Sequence, residues 1–303
     1  MAKPDARLGR VLADRYRLDR ILGRGGMGVV YAGVHTWTER PVAVKVLRAD
    51  RVGSPELLAR FFQEARTAAT LRHPNVIDVL DMGEDEDRTA FLVMELLEGE
   101  NLEERLARAG RLSAEDALAL LLPVIDALAL AHERGIIHRD LKPENVFLSA
   151  AHDGRVVPKL LDFGIAKLLE GSSVQTQTGS MLGTPGYMAP EQMRGVGALT
   201  PAADVWSMGV ILFRALAGRL PYAQDPNPTT MILTMLTTEP PRLVDVAPDA
   251  PPSVAAAIDL ALKRSPDTRH RDMQELCEAL IEGARADGID VEPPDAALPP
   301  GVV

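Results

Sequence analysis

Ile136-Ile137-His138-Arg139-Asp140-Leu141-Lys142-Pro143-Glu144-Asn145 is the stretch from which the rest of the chain is read. Two apolar residues run directly into a loop that gathers carboxylates, two cations, an imidazole and an amide. Polar groups set so close to apolar chain are expensive unless they form a site. Asp140 can accept a proton from an attacking hydroxyl. Asn145 offers a neutral oxygen to a metal ion, and Lys142 can neutralise charge on a phosphoryl group in transfer.

Downstream, a strand-like run from Val156 to Leu161 ends on Asp162-Phe163-Gly164. A carboxylate at a strand end suits magnesium, a hard cation that prefers oxygen. Upstream lies Gly23-Arg24-Gly25-Gly26-Met27-Gly28-Val29-Val30. Glycines there let backbone N–H groups approach phosphate with no Cβ in the way. The same spacing serves dinucleotide folds, but those require a helix next. Here Val29, Val30 and Tyr31 favour a strand, and a plain hairpin turn would also use glycine. Val42-Ala43-Val44-Lys45 follows. A lysine in an apolar strand needs an anionic partner if buried, or reaches water along its own stem. Glu64, beside the Phe61 stripe of the next helix, is either that partner or an ordinary exposed helix residue.

The motifs in order are the glycine-rich stretch, Lys45, Glu64, the His138 loop, Asp162-Phe163-Gly164 and Ala189-Pro190-Glu191. Asp204 in Asp-Val-Trp-Ser-Met-Gly and Arg269 in Ser-Pro-Asp-Thr-Arg complete the set. Together they are far more specific than any one of them. The chain resembles the eukaryotic-type protein kinases, in particular the serine/threonine kinases of bacteria, over about Tyr16 to Glu282.

That resemblance implies an α+β, bilobal protein-kinase fold. It has a small antiparallel-sheet N-lobe with one helix and a larger helical C-lobe, with ATP between them. The divisions expected are an N-terminal lead-in (1–15), N-lobe (16–96), C-lobe (97–285) and a Pro-rich tail or linker (286–303). By resemblance, Gly23, Gly25 and Gly28 cover the phosphates, and Lys45 holds them while paired with Glu64. Asn145 and Asp162 bind Mg2+, with Mn2+ as an alternative. Asp140 orients and deprotonates the acceptor hydroxyl, assisted by Lys142. Leu22, Val30 and Ala43 lie above the adenine and Phe147 below it, where leucine or isoleucine is more usual. Met94 limits the back of that pocket, the backbone of Glu95 and Leu97 bonds the adenine edge, and Asn101 meets the ribose.

Lys142 and the Gly183-Thr184-Pro185-Gly186-Tyr187 loop match the serine/threonine type, with Thr184 bonding Asp140 and Lys142. The resemblance also assigns Glu191 and Arg269 to a buried ion pair and Asp204 to bracing the catalytic loop. Autophosphorylation is expected between Asp162 and Glu191, at Thr176 or Thr178, with Arg139, Lys167 and Arg60 as the receiving basic positions. Protein substrates are the expected partners, and relatives suggest a homodimer through the small lobe.

Composition narrows the alternatives. The 303 residues carry a net charge of −10, which argues against wholesale nucleic-acid binding. Cys277 is the one cysteine, which excludes an internal disulfide or a multi-cysteine zinc site. No apolar run reaches membrane-spanning length and the start lacks a secretory pattern, so the expected location is cytoplasmic. Three rivals remain: a binding module on the same fold, a small-molecule phosphotransferase and a dinucleotide-dependent oxidoreductase. Retention of Lys45, Asp140, Asn145 and Asp162 weighs against the first, the receiving loop against the second, and the strand after Gly28 against the third.

Local signals place a helix from Pro55 behind a Ser54 cap, and strands at Asn75–Leu80 and Thr89–Leu96. A long helix runs from a Ser113 cap to Glu133, with later helices near Ala202–Ala217, Thr229–Thr237, Ser253–Leu262 and Asp272–Glu282. Asp153-Gly154 signals a protruding hairpin between Ser149 and Val157.

Overall fold

The computed structural model describes residues 5–26, 28–47, 55–151, 153–162, 185–195, 199–223, 225 and 227–294. They fall into two compact units: 5–72 with 77–98, and 73–76 with the described residues from 99 onward.

The first unit is built on β1 (Val11–Leu12), β2 (Tyr16–Arg24), β3 (Gly28–His35), β4 (Pro41–Leu47), helix α1 (Pro55–Ala69), β5 (Val79–Glu84) and β6 (Ala90–Glu95). The sheet is antiparallel in the order β1-β2-β3-β4-β6-β5. Strand side chains alternate between faces, and β4 shows what each face is for. Val42, Val44 and Val46 join Leu12, Tyr16, Leu18, Tyr31, Phe91 and Val93 in one core. Ala43 and Leu47 join Phe61 and Ala65 of α1, with Leu92 and Met94, in the other. Lys45 therefore belongs to the α1 face. Gly28 is dictated by this sheet, since a Cβ there would lie 2.2 Å from the Val46 carbonyl oxygen.

Two expectations change here. The segment before Tyr16 supplies a strand of the sheet, because Leu12 is fully buried in the first core. The run Asn75–Leu80 is not one strand. Asn75 and Val76 belong to the second unit, where Leu160 N–H donates to Asn75 O at 2.8 Å and Val76 forms a bridge with Leu160. The strand of the first unit begins only at Val79.

The second unit contains β7 (Gly99–Asn101), α2 (Leu102–Ala109), α3 (Ala114–Glu133), β8 (Val146–Ala150) and β9 (Val156–Leu160). It continues through α4 (Pro190–Arg194), α5 (Ala202–Ala217), α6 (Pro228–Thr237), α7 (Leu243–Val246), α8 (Pro252–Ala261) and α9 (Met273–Ala286). Ser113 caps α3 by accepting from Asp116 N–H at 3.0 Å, and Gly135 follows its end in the left-handed region. The β8–β9 hairpin forms as its Asp-Gly signal predicts, with Ala150 paired to Val156. Helix α5 is buried on nearly every side, which marks it as the centre of the unit. Among the described residues no helix is long and apolar enough to cross a membrane.

Candidate active site

The loop from His138 to Asn145 is held from beneath by one carboxylate. Asp204, in the first turn of α5 and fully buried, accepts from His138 N–H at 2.7 Å and from Arg139 N–H at 2.8 Å. His132 Nε2, on the last turn of α3, lies 2.9 Å from the same carboxylate. Burial pushes the Asp204 carboxyl up, but the hydrogen bonds from His132 and the His138 amide outweigh it and hold it below the ordinary carboxylate range. The expected bracing by Asp204 is thus present. His132 was not singled out in the sequence, and only its place three residues before Gly135 pointed to it.

His138 is fully buried and acts as a spacer. Its Nδ1 faces Asp140 N–H at 3.3 Å, so Nε2 carries the proton toward Leu161 O at 3.0 Å. Arg139 and Asp162 both adopt positive φ, at 65° and 44°, a region non-glycine residues occupy at a cost of roughly 1 kcal/mol or more. At Arg139 the strained backbone is held by the bonds to Asp204 and Gln192.

Three of the side chains expected to act in the site, those of Asp140, Lys142 and Asn145, meet here. Lys142 Nζ lies 2.8 Å from Asp140 Oδ2, with both side chains partly buried. Asn145 Nδ2 donates to Asp140 O at 2.7 Å. With its nitrogen committed, Asn145 presents Oδ1 as its remaining group. Leu161 N–H donates to Asn145 O at 2.8 Å, which ties the residue before Asp162 to Asn145. Oxygen donors of this kind suit a magnesium ion that keeps phosphate oxygens among its ligands.

A further tie was missed in the sequence. Gln192 Nε2 donates to Arg139 O at 2.9 Å, while its Oε1 accepts from Ala189 N–H at 3.0 Å. The segment that opens α4 is thereby fastened to the catalytic loop. Beside it, Arg269 reaches both Glu191 oxygens, at 2.8 and 2.9 Å, with no side-chain exposure of its own. The Tyr187 hydroxyl bonds Arg214, which also pairs with Glu103 at 2.6 Å. Burial first, together with the Glu103 and Glu144 charges, pushes Tyr187 up to about 12 against the lowering effect of Arg214.

In the first unit, three expected adenine-pocket residues come together. Val30, Ala43 and Met94 share the α1-side cluster, and Ala43 pairs directly with Met94 across β4 and β6. Val30 pairs with Lys45. Leu22 is exposed. Glu95 N–H is given to Asp78 O at 3.0 Å, so that donor is not open to adenine. Nothing lies within 4 Å of a Cβ built on Gly23 or Gly25. Those two glycines are not required by local packing, whereas Gly28 is.

In the second unit, Phe147 on β8 is half-buried and pairs with Asn101. Asn101 is also the cap of α2, its Oδ1 accepting from Glu104 N–H at 2.9 Å. Its amide N–H groups are what it retains for a ribose. The side chain of Glu64, and all of Phe163, Gly164, Thr176, Thr178 and Thr184, lie outside the described residues, as do Ser54, Lys167 and the Arg60 side chain.

Comparison with known proteins gives the family. The family model described as "Protein kinase domain" matches residues 16–283, and the chain belongs to that family. Its relatives are bacterial serine/threonine kinases. The serine/threonine-protein kinase PknA of Mycobacterium tuberculosis is 42% identical over 299 residues, covering 97% of this chain and 67% of that protein. The serine/threonine-protein kinase PrkC of Bacillus subtilis is 36% identical over 277 residues, covering 91% of this chain and 41% of that protein. Among solved structures, the kinase domain of Mycobacterium tuberculosis PknI matches with a TM-score of 0.72 at 29% identity, covering 93% of this chain and all of that one. The chain is an ATP-dependent protein serine/threonine kinase of the bacterial eukaryotic-type group, with proteins as substrates.

Proposed function

We propose that the chain transfers the γ-phosphoryl group of ATP to serine and threonine hydroxyls, with Asp140 receiving the acceptor's proton. The observation that carries this reading is the convergence on Asp140. Lys142 sits on its carboxylate at 2.8 Å, Asn145 on its carbonyl at 2.7 Å, and Asp204 fixes the two residues before it. A carboxylate held this way can orient a hydroxyl, and the adjacent ammonium faces charge that develops on the phosphoryl group. Positioning and neutralisation supply most of the catalysis in phosphoryl transfer.

Asn145 Oδ1 and the Asp162 carboxylate would hold magnesium, and manganese would be accepted by the same oxygens. The ion, when bound, neutralises phosphate charge. Lys45, paired with Glu64, would hold the α- and β-phosphates beneath Gly23, Gly25 and Gly28. Val30, Ala43, Met94 and Leu22 would enclose the adenine in the first unit. By the family resemblance, the Glu95 carbonyl and the Leu97 backbone would bond the adenine edge, and Phe147 and Asn101 would meet the base and the ribose. Thr184 would shape the receiving loop, and Thr176 or Thr178 would be the site of autophosphorylation, recorded by phosphosite mapping of active enzyme. The cytoplasm, where ATP is made, is the location this reading proposes.

The test is incubation with labelled ATP, magnesium and a basic acceptor protein, beside Asp140→Asn. Label on serine or threonine that vanishes in the variant is the expected result. ATP binding with no transfer by the unaltered protein would reduce it to a nucleotide-binding module.

A further inference from the structure

The residues ahead of β2 form a strap with both ends fastened. Asp5 Oδ1 accepts from Arg7 N–H at 3.1 Å, and Asp5 O from Leu8 N–H at 3.1 Å, which closes a turn. Gly9 N–H then donates to Leu18 O at 2.7 Å and Leu18 N–H to Arg10 O at 3.0 Å, before β1 pairs with β2. The turn between those strands runs through Ala13 and Asp14, with φ of 47° and 56°, where L residues are uncommon. Asp85 holds that turn. Its Oδ1 accepts from Ala13 N–H at 3.0 Å and its Oδ2 from Arg10 at 2.5 Å, while Asp87 takes a second Arg10 nitrogen at 2.7 Å. Leu12 is buried in the core on the sheet face away from α1.

The other end of the strap meets the glycine-rich hairpin. Arg24, between Gly23 and Gly25, donates Nη2–H to Asp5 Oδ2 at 2.8 Å. Asp5 is the more enclosed partner, with 12% side-chain exposure against 56% for Arg24. Burial pushes the Asp5 carboxyl up, but the Arg7 amide, the Tyr31 hydroxyl and the Arg24 guanidinium outweigh it and hold it low. Arg24 ends β2, so Asp5 meets the hairpin on that arm. At the tip, the hairpin's own fastening is a Gly25 N–H to Gly28 O bond of 2.9 Å, under open space at Gly23 and Gly25.

We infer that Asp5 is a positioning residue of the glycine-rich hairpin, tying it through Arg24 to the strap and presetting it for the ATP phosphates. The inference rests on the reading of that hairpin as the phosphate cover. A hairpin ordered in advance loses less freedom when the nucleotide binds, so the tether acts on ATP affinity and not on the transfer step. The pair is partly exposed, so its effect is modest and weakens with salt.

The test uses the full chain with Asp5→Asn, Arg24→Gln, both together, and Asp5→Glu. ATP–magnesium affinity is measured by calorimetry at low salt, and amide exchange of the hairpin without nucleotide. Each single change is expected to raise Kd about two- to fivefold, the scale of one exposed ion pair. The double variant should be no weaker than the weaker single one. Asp5→Asn should speed hairpin exchange and keep kcat within about twofold, and Asp5→Glu should behave as the unaltered protein. Unchanged affinity in Asp5→Asn, or a double effect equal to the product of the singles, overturns the tether alone. Failure of the unaltered protein to bind ATP overturns the reading of the hairpin and the tether with it.

Discussion

The His138 loop and the glycine-rich hairpin are both dense in functional residues, yet they are held in opposite ways. The loop stands on a fully buried carboxylate that fixes two consecutive amides. A histidine and a glutamine add further hydrogen bonds. Among the described residues of the hairpin, Gly23 and Gly25 face open space where a side chain would stand. A group that moves protons must keep one position to a fraction of an ångström, and a buried hydrogen-bonded charge provides that. A cover for phosphate must admit and release its ligand, so it presents backbone and little else.

The largest stability effect should come from the support of the loop side. Arg269→Ala strands Glu191 and empties a position bonded to Lys263 O, Arg264 O and Ala202 O, so a loss of about 3–5 kcal/mol is expected for such a buried pair. Denaturant unfolding would measure it, and a loss under about 1 kcal/mol would mean the pair is replaceable by water.

Asp204→Asn comes next. An amide has one acceptor oxygen, so it turns an NH2 toward either His138 N–H or Arg139 N–H, costing about 3 kcal/mol and misplacing Asp140. The carboxyl is held low in the folded state, so its stabilisation is present above the unfolded value of about 3.9 and is lost as pH falls through the folded one. The variant should lack that share of the acid-limb destabilisation. An identical acid limb in both proteins would remove Asp204 from the account.

The hairpin predictions are smaller and divide its glycines. Gly28→Ala places a methyl against the Val46 carbonyl and should cost about 1–3 kcal/mol by overpacking. Gly25→Ala meets nothing within 4 Å and should leave stability within about 0.5 kcal/mol. It should weaken ATP binding on the order of tenfold, the scale of one lost bond to a charged group. Equal thermal shifts in the two variants would erase the distinction.

The same contrast governs what could be read in advance. Helix α3 was legible from its Ser113 cap to its end, because capping and periodicity are local. The β8–β9 hairpin was legible from Asp153-Gly154 for the same reason. Helix α2 was not, although Asn101 and Glu104 form a capping box, because its eight residues are too few for periodicity to speak. The pairing of β1 and the transfer of Asn75 and Val76 to the second unit depend on partners distant in sequence. In the site, Asp140, Asn145 and Asp162 announced themselves by residue type. The role of Gln192 lies in a contact 53 residues away that no local pattern encodes.

The most direct measurement is kcat for Asp140→Asn at saturating ATP, with ATP affinity measured on the same protein. The account predicts a fall of about 10²- to 10⁴-fold in kcat, the range for loss of a general base, with affinity within about twofold of the unaltered enzyme. Undiminished transfer would contradict it, because the carboxylate on which Lys142 and Asn145 converge would then have no part in the chemistry.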